Sequence, residues 1–210
     1  MGNSTMQKVY KRIGISGGTF DPIHFGHLII AEEVRELLKL DIILFIPVGN
    51  PPHKEGLNVA DAFHRFNMVK EAVKSNPFFK VSRIEVDRLG YTYTVDTLTK
   101  LKEMHGENVK LLFITGADVV RELLTWKEYE RVFTMCEFAA VLRPGYEKAA
   151  IVSEVQALRD KYGAVIHIID GPLIEISSTQ IRDNVKNGRS VKYLVPDKVE
   201  KYIYENGLYK

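Results

Sequence analysis

The stretch Ile13-Gly-Ile-Ser-Gly-Gly-Thr-Phe-Asp-Pro-Ile-His-Phe-Gly-His27 sets an apolar run, two adjacent glycines, a turn and two histidines ahead of an amphipathic pattern that continues to Leu38. That order reads as strand, tight loop, helix. At such a turn the first backbone N–H groups of the helix have no intrahelical partner and carry positive partial charge, so an anion is favoured there. Gly17 and Gly18 let a ligand approach the backbone closely, and His24 and His27 add two side-chain donors at one edge. Together these features suit a polyphosphate. The loop is neither Gly-x-Gly-x-x-Gly nor a Walker A sequence, so dinucleotide oxidoreductases and P-loop proteins lose their usual support.

The histidines admit other readings. His27, Ala31, Val34 and Leu38 share one helical stripe, which would suit a hydrogen-bonded core histidine. A metal pair is the third option, but no further Cys or His lies close in sequence. The second histidine beside a Gly-Gly loop at a strand end favours the anion site.

Outward from this stretch, Lys11 to Ser16 reads as a first strand and His24 to Lys39 as a helix. Ile42-Ile-Leu-Phe-Ile-Pro47 is a continuous apolar run, the pattern of a strand buried on both faces. The Pro-rich Pro47 to Gly56 is loop, Asp61 caps a helix that Asn76-Pro77 stops, and Phe79 to Val86 alternates like a strand. Thr94 to Met104 is helical, Leu111 to Thr115 is a buried strand, and Ala117 to Leu124 is helical again. Phe138 to Leu142 and Val165 to Ile169 complete the strands, with a helix of about a dozen residues between them. Pro196 as first helical residue and Gly207 bracket a terminal helix.

The repeated strand, loop, helix order predicts an α/β protein, a Rossmann-like, doubly wound, mostly parallel open sheet with helices on both faces. Ligands then belong at the carboxyl ends of the strands. Residues 1 to 7 read as a frayed or cloning-derived tail, and 8 to 210 as a single domain with a helical part from about 177 to 210.

Composition narrows the function classes. Among 210 residues, 29 Lys and Arg against 27 Asp and Glu leave a net charge of +2, so no bulk electrostatic case exists for nucleic-acid or membrane binding. No apolar run approaches spanning length. The single cysteine, Cys136, cannot form an internal disulfide, which agrees with a cytoplasmic protein, and its apolar neighbours predict a buried residue rather than a nucleophile. A homo-oligomer remains open.

A second candidate anion site is Ile176-Ser-Ser-Thr-Gln-Ile-Arg182. Ser177 followed three residues later by Gln180 matches a capping box, hence a helix start. Ser178, Thr179 and Arg182 add two hydroxyls and a guanidinium to its exposed N–H groups. Pro51-Pro-His-Lys54 offers a cation on a stiff loop. Trp126, the only tryptophan, suits either the core or stacking on a heteroaromatic ring.

The spacing Gly-Gly-Thr-Phe-Asp-Pro-x-His-x-Gly-His, with Ile-Ser-Ser-Thr-x-Ile-Arg far downstream, resembles the nucleotidyltransferase superfamily of the His-x-Gly-His type. The Pro-Pro-His-Lys loop, Tyr93-Thr-Val-Asp-Thr97, Gly116-Ala-Asp118 and the late tryptophan resemble, within it, the bacterial nicotinate-nucleotide adenylyltransferases. The resemblance spans residues 11 to 209, including Tyr202-Ile-Tyr-Glu-Asn-Gly-Leu-Tyr209. It implies in-line attack of nicotinic acid mononucleotide on the α-phosphorus of ATP, giving deamido-NAD and pyrophosphate, with Mg²⁺ assisting. His24, His27, Lys54 and Arg182 would be the catalytic set. ATP would lie on Gly17, Gly18, Thr19, Phe20, His24, His27, Gly116, Asp118, Ile176, Ser177, Ser178 and Arg182, with no protein metal site. Lys54, Tyr93, Thr94, Trp126 and Lys127 would hold the acceptor. Lys127 departs from the family's Tyr or His, so it either pairs with the nicotinate carboxylate or is a plain surface lysine. Competing readings are a pantetheine-phosphate adenylyltransferase and a non-catalytic nucleotide sensor.

Overall fold

The protein is described by a computed structural model that covers residues 10–49, 59–142, 148–172 and 174–210. The expected tail, most of the Pro47 to Gly56 loop and Lys54 lie outside the described residues. Six strands, β1 (Arg12–Gly18), β2 (Ile42–Pro47), β3 (Phe79–Val81), β4 (Lys110–Gly116), β5 (Cys136–Leu142) and β6 (Ile166–Asp170), form one sheet in the order β3-β2-β1-β4-β5-β6. Every pairing is parallel. The helices are α1 (Phe25–Leu37), α2 (Ala62–Val73), α3 (Thr94–His105), α4 (Tyr129–Met135), α5 (Lys148–Tyr162), α6 (Ser178–Lys186) and α7 (Asp197–Glu205).

Strand β2 shows why the sheet is covered on both faces. All six of its residues are buried. Ile42, Leu44 and Ile46 join a core with α3, α4 and α5, whereas Ile43 and Phe45 join one with α1, α2, α6 and α7. Period-two alternation splits one apolar run between two cores, and each such side chain contributes about 1.5–3 kcal/mol on burial. The order reverses between β1 and β4, so β1 lies at the topological switch point, where the loops after the strands diverge and leave a crevice.

Two expectations are corrected and one is sharpened. The strand foreseen over Phe79 to Val86 stops at Val81. Ile43 N–H donates to Phe78 O and Ser82 N–H to Phe45 O, but the next β2 residue on that edge is Pro47, which has no N–H to continue the ladder. Residues Ala117–Thr125 form a 3₁₀ helix, whose buried Ala117, Val120 and Leu123 recur every third residue, its natural repeat. Pro196 is the N-cap of α7 rather than its first residue, just as His24 is the N-cap of α1. Helix α4 was unforeseen. It buries Val132 and Phe133 and ends at Cys136, which is buried, its thiol pushed up in pKa by that burial. Asp61 caps α2 by accepting from Phe63 N–H at 2.7 Å, as its position suggested.

Candidate active site

Strand β1 delivers its chain into the crevice at Gly17 and Gly18, and α1 leaves it at Phe25. A cavity of about 220 Å³ opens there, lined among others by Ser16, Gly17, His27, Phe113, Gly116 and Val119. A Cβ on Gly17 would stand 2.9 Å from the Phe113 ring, so glycine is required for the strand end to sit against that aromatic side chain. A wider concavity of 720 Å³ lies beside α3, near Arg83, Arg88 and Arg131. Two of its charges are paired locally, Arg83 with Asp87 at 2.7 Å and Arg131 with Glu128 at 3.2 Å, and neither of the expected phosphate-binding helix starts, those of α1 and α6, contributes to its lining.

The two histidines act as one unit. Their rings stack with centroids 3.7 Å apart and planes 26° from parallel. His24, only 6% exposed, caps α1 in extended conformation, and its N–H donates to His27 Nδ1 at 3.3 Å. An accepting Nδ1 places the proton of a neutral ring on Nε2, which makes His27 a donor at that atom. The ring of Phe20 meets His27 edge-on at 5.0 Å and 80°. Gly26 makes room for the stack, since a Cβ there would lie 3.0 Å from His24 Nδ1. Stacked rings do not converge two lone pairs on one ion, and among the described residues no group of three His, Cys, Asp or Glu is placed to hold a metal.

Helix α6 brings the second anion motif to the same loop. Ser177 caps it, accepting from Gln180 N–H at 3.1 Å. Ser178 Oγ donates to Pro22 O at 2.9 Å, and Arg182 Nη1 donates to Asp21 O at 2.7 Å. Foreseen as phosphate ligands, these groups hold the histidine loop against the start of α6. Ile176 packs into the core below.

Gly116 closes β4 at the cavity, and Asp118 follows it in the first turn of the 3₁₀ segment. Asp118 Oδ1 is shielded from solvent and has no hydrogen-bond partner among the described residues, an acceptor suited to a ligand hydroxyl. Of the expected acceptor residues, Tyr93, Thr94 and Lys127 gather at the start of α3. Tyr93 is its N-cap, Thr94 its first residue, and Lys127 Nζ lies 4.5 Å over the Tyr93 ring and 3.9 Å from Asp96. Trp126 is half-buried and stands edge-on to Phe113 at 5.5 Å and Phe138 at 6.2 Å. Phe113, under both Gly17 and Trp126, joins the two clusters.

Sequence reading missed Arg65. This α2 residue is 2% exposed, and its guanidinium donates to Ala60 O at 2.8 Å, Thr19 O at 2.8 Å, Val48 O at 2.7 Å and Gly49 O at 3.0 Å. It ties the loop after β1 to the loop after β2. Burial lowers its pKa, while the Asp21 charge opposes that shift. The only signal in the sequence was a charge inside the apolar stripe Phe66, Val69, Val73, and such a charge is ordinarily assigned to the solvent face.

The family model of the cytidylyltransferase-like class matches residues 15–184, from within β1 to within α6. The chain is 52% identical over 199 residues to a probable nicotinate-nucleotide adenylyltransferase of Thermoanaerobacter, covering 95% of this chain and 94% of that protein. It is 46% identical to one of Desulfitobacterium hafniense, covering 95% and 96%. The chain belongs to the nicotinate-nucleotide adenylyltransferase family. Its fold is similar to that of the Plasmodium falciparum nicotinic acid mononucleotide adenylyltransferase complexed with NaAD, with a TM-score of 0.77 at 22% identity over 95% of this chain and 98% of that one.

Proposed function

We propose that this protein is an adenylyltransferase that joins ATP to nicotinic acid mononucleotide, releasing pyrophosphate and forming deamido-NAD. The observation that carries this reading is the meeting of two helix starts, α1 and α6, on one loop beside a stacked histidine pair. Backbone donors, two imidazoles and a guanidinium converge there, as a polyphosphate requires.

The acceptor phosphate arrives ionised, so the reaction needs no strong general base. What remains is alignment and stabilisation of charge on the transferring phosphorus. His27 Nε2–H and His24 meet the α-phosphate, and the start of α6 with Arg182 and Ser178 takes the β and γ phosphates. Gly17, Gly18, Thr19 and Phe20 form the loop under the nucleotide, and Asp118 accepts from a ribose hydroxyl. Trp126 stacks on the pyridine ring with Tyr93, Thr94 and Lys127 around the carboxylate, and Lys54 adds charge near the phosphates. Mg²⁺ would be held by the ATP phosphates rather than by a protein site and would supply neutralisation of phosphate charge. A cytoplasmic location goes with this reading, and the single, buried cysteine agrees with a reducing compartment. No helix among the described residues is long and apolar enough to cross a membrane.

Pyrophosphate release from ATP is measured with nicotinic acid mononucleotide, nicotinamide mononucleotide and phosphopantetheine in turn. Release with the first is expected. Release with phosphopantetheine alone points to the pantetheine branch, and release with none removes the enzyme reading.

A further inference from the structure

The run Tyr202-Ile-Tyr-Glu-Asn-Gly-Leu-Tyr209 has no part in the chemistry above, yet it reaches the histidine loop. After α7 the chain reverses at Gly207, where φ is 61°, and Leu208 N–H returns to Ile203 O at 3.0 Å. Tyr209 follows with φ 65°, a left-handed conformation that a non-glycine residue keeps only where its surroundings hold it. Its hydroxyl donates to Asp21 Oδ1 at 2.8 Å, across 188 positions of sequence. Phe20, next to Asp21, is left-handed too, with φ 51°.

Asp21 is 4% exposed and is the junction of this region. Oδ1 also accepts from Ala60 N–H at 3.2 Å, Oδ2 lies 3.7 Å from Arg182 Nη1, and the Asp21 carbonyl takes Nη1 itself at 2.7 Å. Two donors on Oδ1 fix the rotation of the carboxylate, and that rotation sets how strongly Oδ2 draws the guanidinium. Burial and the Asp21 charge hold the Tyr209 phenol far above its ordinary pKa range, so the hydroxyl keeps its proton.

We propose that Tyr209 is a positioning residue for the anion site: its hydroxyl fixes the Asp21 carboxylate, and through it the Thr19 to His24 loop and the Arg182 guanidinium. Without that hydroxyl the carboxylate turns to pair fully with Arg182 and draws the cation away from the phosphates. This kinetic consequence rests on the adenylyl-transfer reading, whereas the ordering of the loop does not.

The full-length chain is compared with Tyr209→Phe, Asp21→Asn, the double variant and Val199→Ala. Val199, fully buried in α7, reports general loosening of the helix. Tyr209→Phe is expected to lower kcat/KM for ATP about tenfold, in keeping with a lost bond to a charged group, with its melting temperature above that of Val199→Ala. Val199→Ala should melt earlier and keep its kcat/KM. Adding Tyr209→Phe to Asp21→Asn should cost nothing further if the hydroxyl acts through the carboxylate. Amide hydrogen exchange over residues 20–25 should quicken in Tyr209→Phe while β1 and β4 stay unchanged. Full additivity, unchanged kcat/KM, or a loss that merely tracks melting temperature overturns the proposal. Should wild-type protein release no pyrophosphate, the reaction reading fails and exchange alone decides: quickened exchange at 20–25 supports the latch, and unchanged exchange refutes it.

Discussion

Replacing Arg65 by methionine tests how the crevice is held open. Among the described residues the guanidinium makes four bonds to backbone carbonyls and no ion pair at contact distance. Hydrogen bonds from a charged group contribute about 1.5–3 kcal/mol each, so the gross loss is roughly 6–12 kcal/mol. Against this stands the desolvation of a charge that is 2% exposed, a cost of several kcal/mol that methionine does not incur. The net destabilisation should therefore be about 3–5 kcal/mol, a drop in Tm of roughly 6–20 °C for a chain of this size. Lysine keeps the charge but cannot reach four carbonyls from one nitrogen, so Arg65→Lys should recover only part of the loss. Urea unfolding, followed by the change in midpoint at constant m, gives the number directly. A loss below about 1 kcal/mol for Arg65→Met, or full recovery by lysine, would refute the idea that the fork geometry ties the two loops together.

Four further outcomes are expected. His27→Ala should lower turnover at least ~100-fold, roughly 2.7 kcal/mol of transition-state stabilisation, while circular dichroism shows a folded protein; an unfolded variant would make His27 a core residue. Gly26→Ala adds a methyl 3.0 Å from His24 Nδ1 in exchange for about 1 kcal/mol of helix propensity, so its Tm should hold while kcat falls about tenfold; unchanged kcat would show that the stack is not needed. Trp126→Ala should raise KM for the acceptor far more than KM for ATP, and equal KM values for the acceptor in both proteins would exclude stacking. Glu85 accepts from Thr97 Oγ1 at 2.7 Å, and burial raises its pKa above 4.5. The folded state therefore binds the proton more tightly than the unfolded one. Its penalty is absent below pH 4.5 and sets in as pH rises through the folded pKa. Melting of Glu85→Gln beside wild type at pH 4 and pH 7 should show the variant gaining on wild type at the higher pH; a gap that stays constant or narrows contradicts the assigned cause.

Much of the site was legible because its residues are neighbours in sequence. His24 and His27 sit one turn apart at the start of α1, and Ser177 to Arg182 span the N-cap and first two turns of α6. A local spacing rule finds such groups. Arg65 was not legible, since its four acceptors come from three separate loop segments. Phe113 was hidden in the same way: it reads as one more apolar residue of β4, and only packing shows it under both Gly17 and Trp126. The overlong β3 failed for a comparable reason: Pro47 on the neighbouring strand ends the ladder, and the chain beyond it closes a local turn in which Asp87 N–H donates to Arg83 O at 2.9 Å.

The sequence by itself determined the alternation of strands and helices, the burial of β2 on both faces and the position of the two helix starts proposed as the anion site. Each follows from periodicity, capping or backbone partial charge over fewer than twenty residues. Only the tertiary structure decided that these two starts share one loop, that Arg65 and Asp21 lock it, and that Tyr209 reaches it. Those contacts join residues up to 188 positions apart. A buried polar group is satisfied by whichever partner the folded chain brings within about 3 Å, and proximity in sequence says nothing of which one that will be.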